Sequence, residues 1–218
     1  MKPLLTVAAL IDSAKDFCEM MSKIDHESLL GVTDGKAVGT YVEHMFQDFL
    51  VERYTLKVGN SALGIDLPGD NIMTDIKVTS VDKPQSSCPF KNARQKIFGL
   101  GYNLLVFVYG KQDIDGVCHL RFTTCTFIEK QRTADYTITK RLREMIVDGS
   151  NKDDIIGFLQ DKNVPGDDIV YNDLADEILA HTPEQGYLTI SNALQWRLSY
   201  GRVIALSNSV PGVTNYEW

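Results

Sequence analysis

One stretch of the sequence, GIDLPGDNIMTDIKVTS at residues 64–80, constrains the fold more than any other. Two short apolar segments flank the turn sequence PGDN, and this pattern predicts a β-hairpin. With the turn centred on PGDN, Asp66 lies directly opposite Asp75. Lys77 leaves the same face as Asp75, because side chains alternate along a strand. The hairpin therefore brings two carboxylates and one ammonium group together in a half-buried sheet.

This arrangement of charges is unfavourable unless something compensates for it. Like charges opposite each other destabilise a sheet, and an unpaired buried carboxylate costs still more. Lys77 can pair with one aspartate, which is the simplest explanation of its position, but one negative charge then remains. A divalent cation would stabilise both carboxylates, and hard oxygen ligands suit Mg²⁺. We therefore predict a Mg²⁺ site formed by Asp66, Asp75 and the backbone carbonyl of Ile76.

A third carboxylate comes from a predicted helix at about residues 37–54. At about 100° per residue, Glu43 lies roughly 20° from Leu50, at the border of the apolar stripe. Glu43 could therefore point toward the sheet as a further metal ligand, or it could be a flanking surface glutamate. His44 points the opposite way.

Two carboxylates, a lysine and Mg²⁺ suit the hydrolysis of a phosphodiester. The cation polarises the phosphoryl oxygen and lowers the pKa of a bound water. Lys77 can orient or deprotonate that water and can stabilise the negative charge that develops in the transition state. The sequence contains no GxSxG, HExxH or GxxxxGK[ST] motif that would indicate another chemistry.

The remaining pattern predicts an α/β chain. Apolar periodicity and turn residues predict further helices at about 3–24, 137–147, 152–161 and 172–181, and strands at about 61–67, 72–80, 103–110 and 117–129. Ser86 or Ser87 is predicted to cap another helix, with Pro89 in its first turn. The order strand, helix, strand implies a right-handed crossover between parallel strands.

Composition limits the classes of protein. No apolar run approaches the ~20 residues that span a bilayer, so we expect no membrane partner. The first residues are predicted to form a helix and not a signal peptide. Four cysteines without a CxxC pair indicate reduced thiols and a cytoplasmic protein. The net charge is −7, but residues 77–96 and 130–143 are locally basic, which suits a polyanionic partner as well as an ordinary solvated surface.

The spacing of these residues resembles a known signature. Asp66, eight residues and then Asp75-Ile76-Lys77 look like the PD-(D/E)xK motif of nucleases, and GKAVGTYVEHMF is similar to the helix that supplies an extra glutamate in many type II restriction endonucleases. The resemblance covers residues 35–128. One departure is Ile65 in place of the motif proline; the alternative first half, PGD, would make Asp70 the first acid.

The resemblance implies a restriction-endonuclease-like α/β fold, with a mixed central sheet flanked by helices. It implies one nuclease domain over residues 1–218, with a catalytic core at about 35–128 and a mainly helical recognition part at about 137–218. The implied activity is Mg²⁺-dependent cleavage of double-stranded DNA at a short palindromic site by a homodimer, with no organic cofactor. Alternatives on the same fold are a repair, resolvase or transposase-type nuclease and an inactive DNA-binding module.

Candidate DNA contacts come from three segments. They are the predicted helix after the catalytic strand, the polar loop before it, and the aromatic and basic segment QWRLSYGR, each of which could instead be surface or packing. The candidate residues are Arg94, Gln95 and Lys96; Lys83, Ser86 and Ser87; and Gln195, Arg197 and Arg202. The acidic stretch 144–184 is expected to face away from DNA or toward another protein.

Overall fold

The computed structural model describes residues 2–59, 64–89, 91–192, 195–206 and 208–218. Two helices come first, strands and one short helix follow, and three helices precede the last strands. The helices are α1 (Val7–Met21), α2 (Gly35–Arg53), α3 (Arg94–Phe98), α4 (Tyr136–Val147), α5 (Lys152–Asp161), α6 (Asp168–Ala180) and α7 (Gly201–Ile204). The strands are β1 (Thr74–Ser80), β2 (Gln85–Pro89), β3 (Asn103–Ile114), β4 (Val117–Ile128), β5 (Thr189–Ile190), β6 (Gln195–Ser199) and β7 (Val213–Glu217).

The central sheet has the strand order β1-β3-β4-β7. β1 runs parallel to β3, and the other two pairs are antiparallel. A tight turn joins β3 to β4, with Asp115 and Gly116 at positive φ values of 52° and 78°, as a two-residue hairpin with right-handed strand twist requires. The predicted mixed sheet is confirmed, and the end of the chain returns to it as β7.

Helices α1 and α2 cover one face of this sheet. Their apolar stripes pack on β3 and β4 in a core that contains Phe17, Phe46, Phe107 and Phe122. The ring centroids of Phe46 and Phe107 lie 5.0 Å apart. The Asp34 carboxylate accepts a hydrogen bond from the Lys36 backbone N–H and so caps the start of α2. The predicted second helix is confirmed and begins two residues earlier than expected.

A second sheet, with the order β2-β6-β5, covers the opposite face. Trp196, Leu198 and Tyr200 are fully buried and share a core with Leu104 and Val106 of β3. The prediction that Ser86 or Ser87 caps a helix is therefore wrong. Residues 85–89 form β2, which pairs antiparallel with β6, and α3 begins only at Arg94. The partner strand lies more than a hundred residues later in the chain, so no local pattern signals this pairing.

The C-terminal helices form a third core. The fully buried side chains of Leu142, Leu159 and Ile178 come from α4, α5 and α6, and Ile97 joins them from α3. The predicted helices agree closely for α4 and α5, and α6 starts four residues earlier than expected. None of the helices in the described ranges is long and apolar enough to cross a bilayer. All four cysteines are buried and free, as expected of reduced thiols.

Candidate active site

The start of β1 has the register that the turn predicts. Leu67 and Thr74 exchange two backbone hydrogen bonds of 3.0 Å, which makes Asp66 and Asp75 the next pair along. The predicted strand at 61–67 lies partly outside the described residues, and its described part forms this isolated bridge and no regular strand. A short antiparallel contact is therefore enough to bring Asp66 to the beginning of β1.

Asp66 occupies the free edge of β1. Its Oδ2 accepts a 2.7 Å hydrogen bond from the backbone N–H of Ile76. β1 pairs with β3 on its other side, so this N–H has no strand partner within the described sheet. A buried N–H is costly without an acceptor, and the carboxylate supplies one. Asp66 is therefore positioned by the backbone of the strand that carries the other candidates.

Asp75 and Lys77 project together from the opposite face to the α1–α2 core. Asp75 is aligned with Leu104 and Lys77 with Val106, both of which belong to the core under the second sheet. Asp75 is only 5% exposed, and its Oδ2 lies 2.7 Å from the Lys77 Nζ. The side chain of Ile76 points into the α1–α2 core. The alternation of β1 thus separates a packing residue from the two charged ones.

Glu43 reaches the same place from α2. It is half-buried, and Asp66 is its close carboxylate neighbour, as it is also of Asp75. Gln47 donates a long hydrogen bond of 3.5 Å to the Glu43 Oε1. His44 is exposed, as predicted. Asp66 therefore stands between two carboxylates, one from the helix and one from the strand.

Burial and neighbouring charge raise the pKa of two of these carboxyl groups, Asp75 and Glu43. Burial raises the pKa of Asp75 to about 7, and nearby Asp66 adds to this, although Lys77 acts in the opposite direction. Burial and Asp66 likewise raise the pKa of Glu43 to about 7. Burial acts to lower the pKa of Lys77, but Asp75 and Asp66 outweigh it and raise the pKa above its ordinary value. The lysine is therefore an ammonium ion at neutral pH, and its single charge does not compensate three carboxylates.

This deficit of positive charge matches what a hard divalent cation supplies. One oxygen of Asp66 accepts the hydrogen bond of the Ile76 backbone N–H, and one oxygen of Asp75 pairs with Lys77. Within the described ranges, no three His, Cys, Asp or Glu side chains already have the geometry of a metal cage. The donor chemistry thus fits Mg²⁺, with carboxylates that the cation would draw together.

Two tyrosines near Asp75 were not predicted from the sequence. Tyr102 and Tyr200 are buried near Asp75. Burial is the main cause that raises the pKa of both hydroxyl groups, and the charge of Asp75 adds to it. The Tyr200 hydroxyl lies 2.5 Å from the Ser86 Oγ. Tyr102 lies two residues before Leu104, which is aligned with Asp75 in the parallel pair of β1 and β3. The sequence does not show this alignment, so it gave no signal for Tyr102.

The side chains of the three candidate residues on α3 each have a partner within the protein. Arg94 forms an ion pair with Glu177 at 2.6 Å, and the Gln95 side chain donates to the Leu100 carbonyl. Lys96 is 2% exposed and donates to the Ser191 carbonyl and the Asn192 side chain. The placement of Lys96 on a DNA surface was wrong, because its side chain is buried against the segment that contains Ser191 and Asn192. Arg94 is exposed, and its contact with DNA stays a prediction, as does that of Gln95.

The other candidates occupy more open positions. Lys83, Ser87 and Arg197 are exposed, and Ser86 faces inward to Tyr200. Arg202 is exposed and lies over the Tyr136 ring at 3.8 Å from its centroid. The side chain of Gln195 lies outside the described part of the chain. Asp70 is exposed in the turn, and the structure brings Asp66, and not Asp70, to the strand.

Comparisons with known proteins point to one class of enzyme. A family model described as type II restriction enzyme NspV matches residues 4–215, which include Glu43, Asp66, Asp75 and Lys77. The chain is 50% identical over 212 residues to the type II restriction enzyme NspV of Nostoc sp. (strain ATCC 29411 / PCC 7524), covering 96% of each protein. Among solved structures it is similar to the crystal structure of tetrameric restriction endonuclease SfiI bound to cognate DNA. That likeness has a TM-score of 0.39 and 9% identity, and covers 100% of this chain and 89% of the other.

Proposed function

Because the chain belongs to the NspV family of type II restriction enzymes, which are site-specific deoxyribonucleases, we propose that Asp66, Asp75 and Lys77 form its DNA-cleavage centre. The observation that supports this most directly is the ion pair of Asp75 with Lys77, placed beside Asp66 at the free edge of β1. The substrate is double-stranded DNA with a short palindromic site, and the acting form is a homodimer, since a two-fold symmetric target suits two identical subunits. The reduced cysteines suit a cytoplasmic location.

Mg²⁺ is the cofactor that this site fits. Asp66 and Asp75 would hold it, with the Ile76 carbonyl and Glu43 as further ligands. When bound, such a cation polarises a phosphoryl oxygen and lowers the pKa of a water molecule. In the metal-free protein, burial and neighbouring charge hold the pKa of both Glu43 and Asp75 near 7, so neutral to alkaline pH is needed to present both as carboxylates.

Lys77 acts on the scissile phosphate by its charge. Asp75 fixes the ammonium at 2.7 Å, which limits the positions that the flexible side chain can take. Because the pKa of Lys77 is raised, the group stays protonated and is a poor base at neutral pH. It therefore stabilises the negative charge that develops on the phosphate and orients the attacking water. Its side chain is 22% exposed, which leaves it accessible from the solvent.

Cleavage of phage DNA with and without Mg²⁺ tests this proposal. We expect discrete fragments with Mg²⁺ and none with EDTA, and Lys77→Gln should cut at least about 100-fold more slowly. Lys23→Gln removes an exposed lysine after α1 and serves as the control of equal charge change. Equal cutting by Lys77→Gln and the wild type would refute the role of Lys77, and an unspecific smear would favour the repair-type alternative.

A further inference from the structure

Two segments of this acidic chain contain no acid at all. The protein has 29 Asp and Glu residues, yet none falls in residues 83–112 or 185–216. The structure joins these two segments, since β2 comes from the first, and β5 and β6 come from the second. The second sheet is therefore built wholly from the acid-free parts of the sequence.

The outer face of this sheet is polar. Alternation along the strands buries one set of side chains against β3 and turns the other set outward. Ser87 is aligned with Arg197, and both are exposed. In the neighbouring row, Gln85 is aligned with Ser199, and Ser199 with Thr189. Every described side chain in these two rows carries a hydrogen-bonding group, and none carries a negative charge.

Hydrogen bonds connect the start of β2 to β1, the strand that carries Asp75 and Lys77. Thr79 lies two residues after Lys77 on β1, and its hydroxyl accepts a 3.0 Å hydrogen bond from the Gln85 backbone N–H. The same hydroxyl lies 3.2 Å from the Lys83 carbonyl, so β2 starts at a fixed position relative to β1. The position of β2, and with it that of β6, thus follows that of the catalytic strand.

Arg197 is an exposed arginine on the outer face of this sheet, and it differs from three surface arginines that form ion pairs. Arg94, Arg132 and Arg141 each pair with a glutamate: Glu177, Glu184 and Glu144. In the part of the chain that the structure describes, no carboxylate lies within ion-pair distance of the Arg197 guanidinium, although its backbone N–H bonds to Ser191. Among the described residues, no carboxylate therefore competes with a ligand for the Arg197 guanidinium.

We infer that this outer face is the surface that reads the base sequence of the substrate, with Arg197 and Ser87 contacting base edges in a groove of the duplex. This inference rests on the proposed nuclease function. The major groove admits a two-stranded β-ribbon, and an arginine fork binds the guanine O6 and N7 with two hydrogen bonds. Serine, threonine and glutamine offer further donors and acceptors, and the absence of acids avoids repulsion by the phosphates.

Discrimination between related DNA sites tests the inference. Sequencing the ends that the wild type produces defines its site, and single-turnover cleavage is then measured on that duplex and on duplexes with one substituted base pair. We expect Arg197→Ala to lower the ratio of cognate to substituted cleavage by about 10- to 100-fold at one base pair. Arg197→Lys should not restore the ratio, because an ammonium keeps the charge but loses the fork.

Arg121→Ala is the matched control, because Arg121 is an exposed arginine on β4. It should leave the discrimination ratio unchanged, and thermal unfolding confirms that each variant is folded. An unchanged ratio in Arg197→Ala would overturn the inference. So would a uniform loss on all duplexes that Arg197→Lys restores, since this indicates a phosphate contact. Failure of the cleavage centre looks different, because Lys77→Gln would then cut the wild-type site at full rate.

Discussion

Replacing Asp75 by asparagine separates the electrostatic cost of the site from its packing, since the amide has nearly the same shape. The carboxyl titrates near 3.8 in an unfolded chain and at about 7 in the folded, metal-free protein. Between these pH values the folded state binds more protons, so the free energy of unfolding falls as the pH rises through this range. The variant lacks this group and should not show that part of the decline.

The size of the effect follows from the pKa shift. From pH 5 to the folded pKa of about 7, each pH unit removes about 1.4 kcal/mol of stability from the wild type. No correction for solvent screening is needed, since the Asp75 side chain is 7% exposed. The stability of Asp75→Asn relative to the wild type should therefore rise by roughly 3 kcal/mol between pH 5 and pH 8.

Urea unfolding at pH 5 and pH 8 in EDTA measures this difference, and titrating groups far from Asp75 cancel between the two proteins. Asp70→Asn makes the same charge change in the exposed turn and should show a difference below about 0.5 kcal/mol. Adding Mg²⁺ at pH 8 should stabilise the wild type more than Asp75→Asn. The reasoning fails if Asp75→Asn has the same stability relative to the wild type at both pH values.

Two further substitutions test the neighbourhood of the site. Glu43→Gln removes the third carboxylate, and the rate of single-turnover cleavage at limiting Mg²⁺ should fall by about 10- to 100-fold, less than for Lys77→Gln. Full activity at all Mg²⁺ concentrations would exclude Glu43 from the site. Arg94→Ala breaks the exposed ion pair with Glu177, and the free energy of unfolding in urea should fall by at most about 1 kcal/mol. The affinity for duplex DNA should not change, and a large loss of affinity would identify Arg94 as a DNA contact.

Local patterns in the sequence predicted much of the fold. The apolar run at 103–110 predicted a strand, and an uninterrupted run of this kind is typical of a strand covered on both faces. Its side chains from Leu104 to Val108 are buried. The apolar stripe of α2 placed Glu43 at its border, where it is half-buried. The turn PGDN gave the register of Leu67 with Thr74, and alternation along β1 gave the pairing of Asp75 with Lys77. These predictions depend only on neighbours within a few residues.

Other features depend on contacts between distant segments, which no local pattern contains. QSSCP reads as the start of a helix by its serines and proline, but it becomes β2 because β6 supplies its partner. Lys96 looks like a surface lysine, but α3 is enclosed, and Ser191 and Asn192 accept its hydrogen bonds. The acid-free segments are visible in the sequence, but only their pairing shows that they share one face.

The sequence by itself determined the arrangement of the proposed cleavage centre, because a hairpin turn and strand alternation set the relative positions of its side chains. The tertiary structure decided what surrounds these residues: which arginines are paired, which lysine is buried, and that a second sheet stands beside β1. The physical reason is range, since turn and strand geometry act between near neighbours, whereas burial and ion pairing depend on segments that only the folded chain brings together.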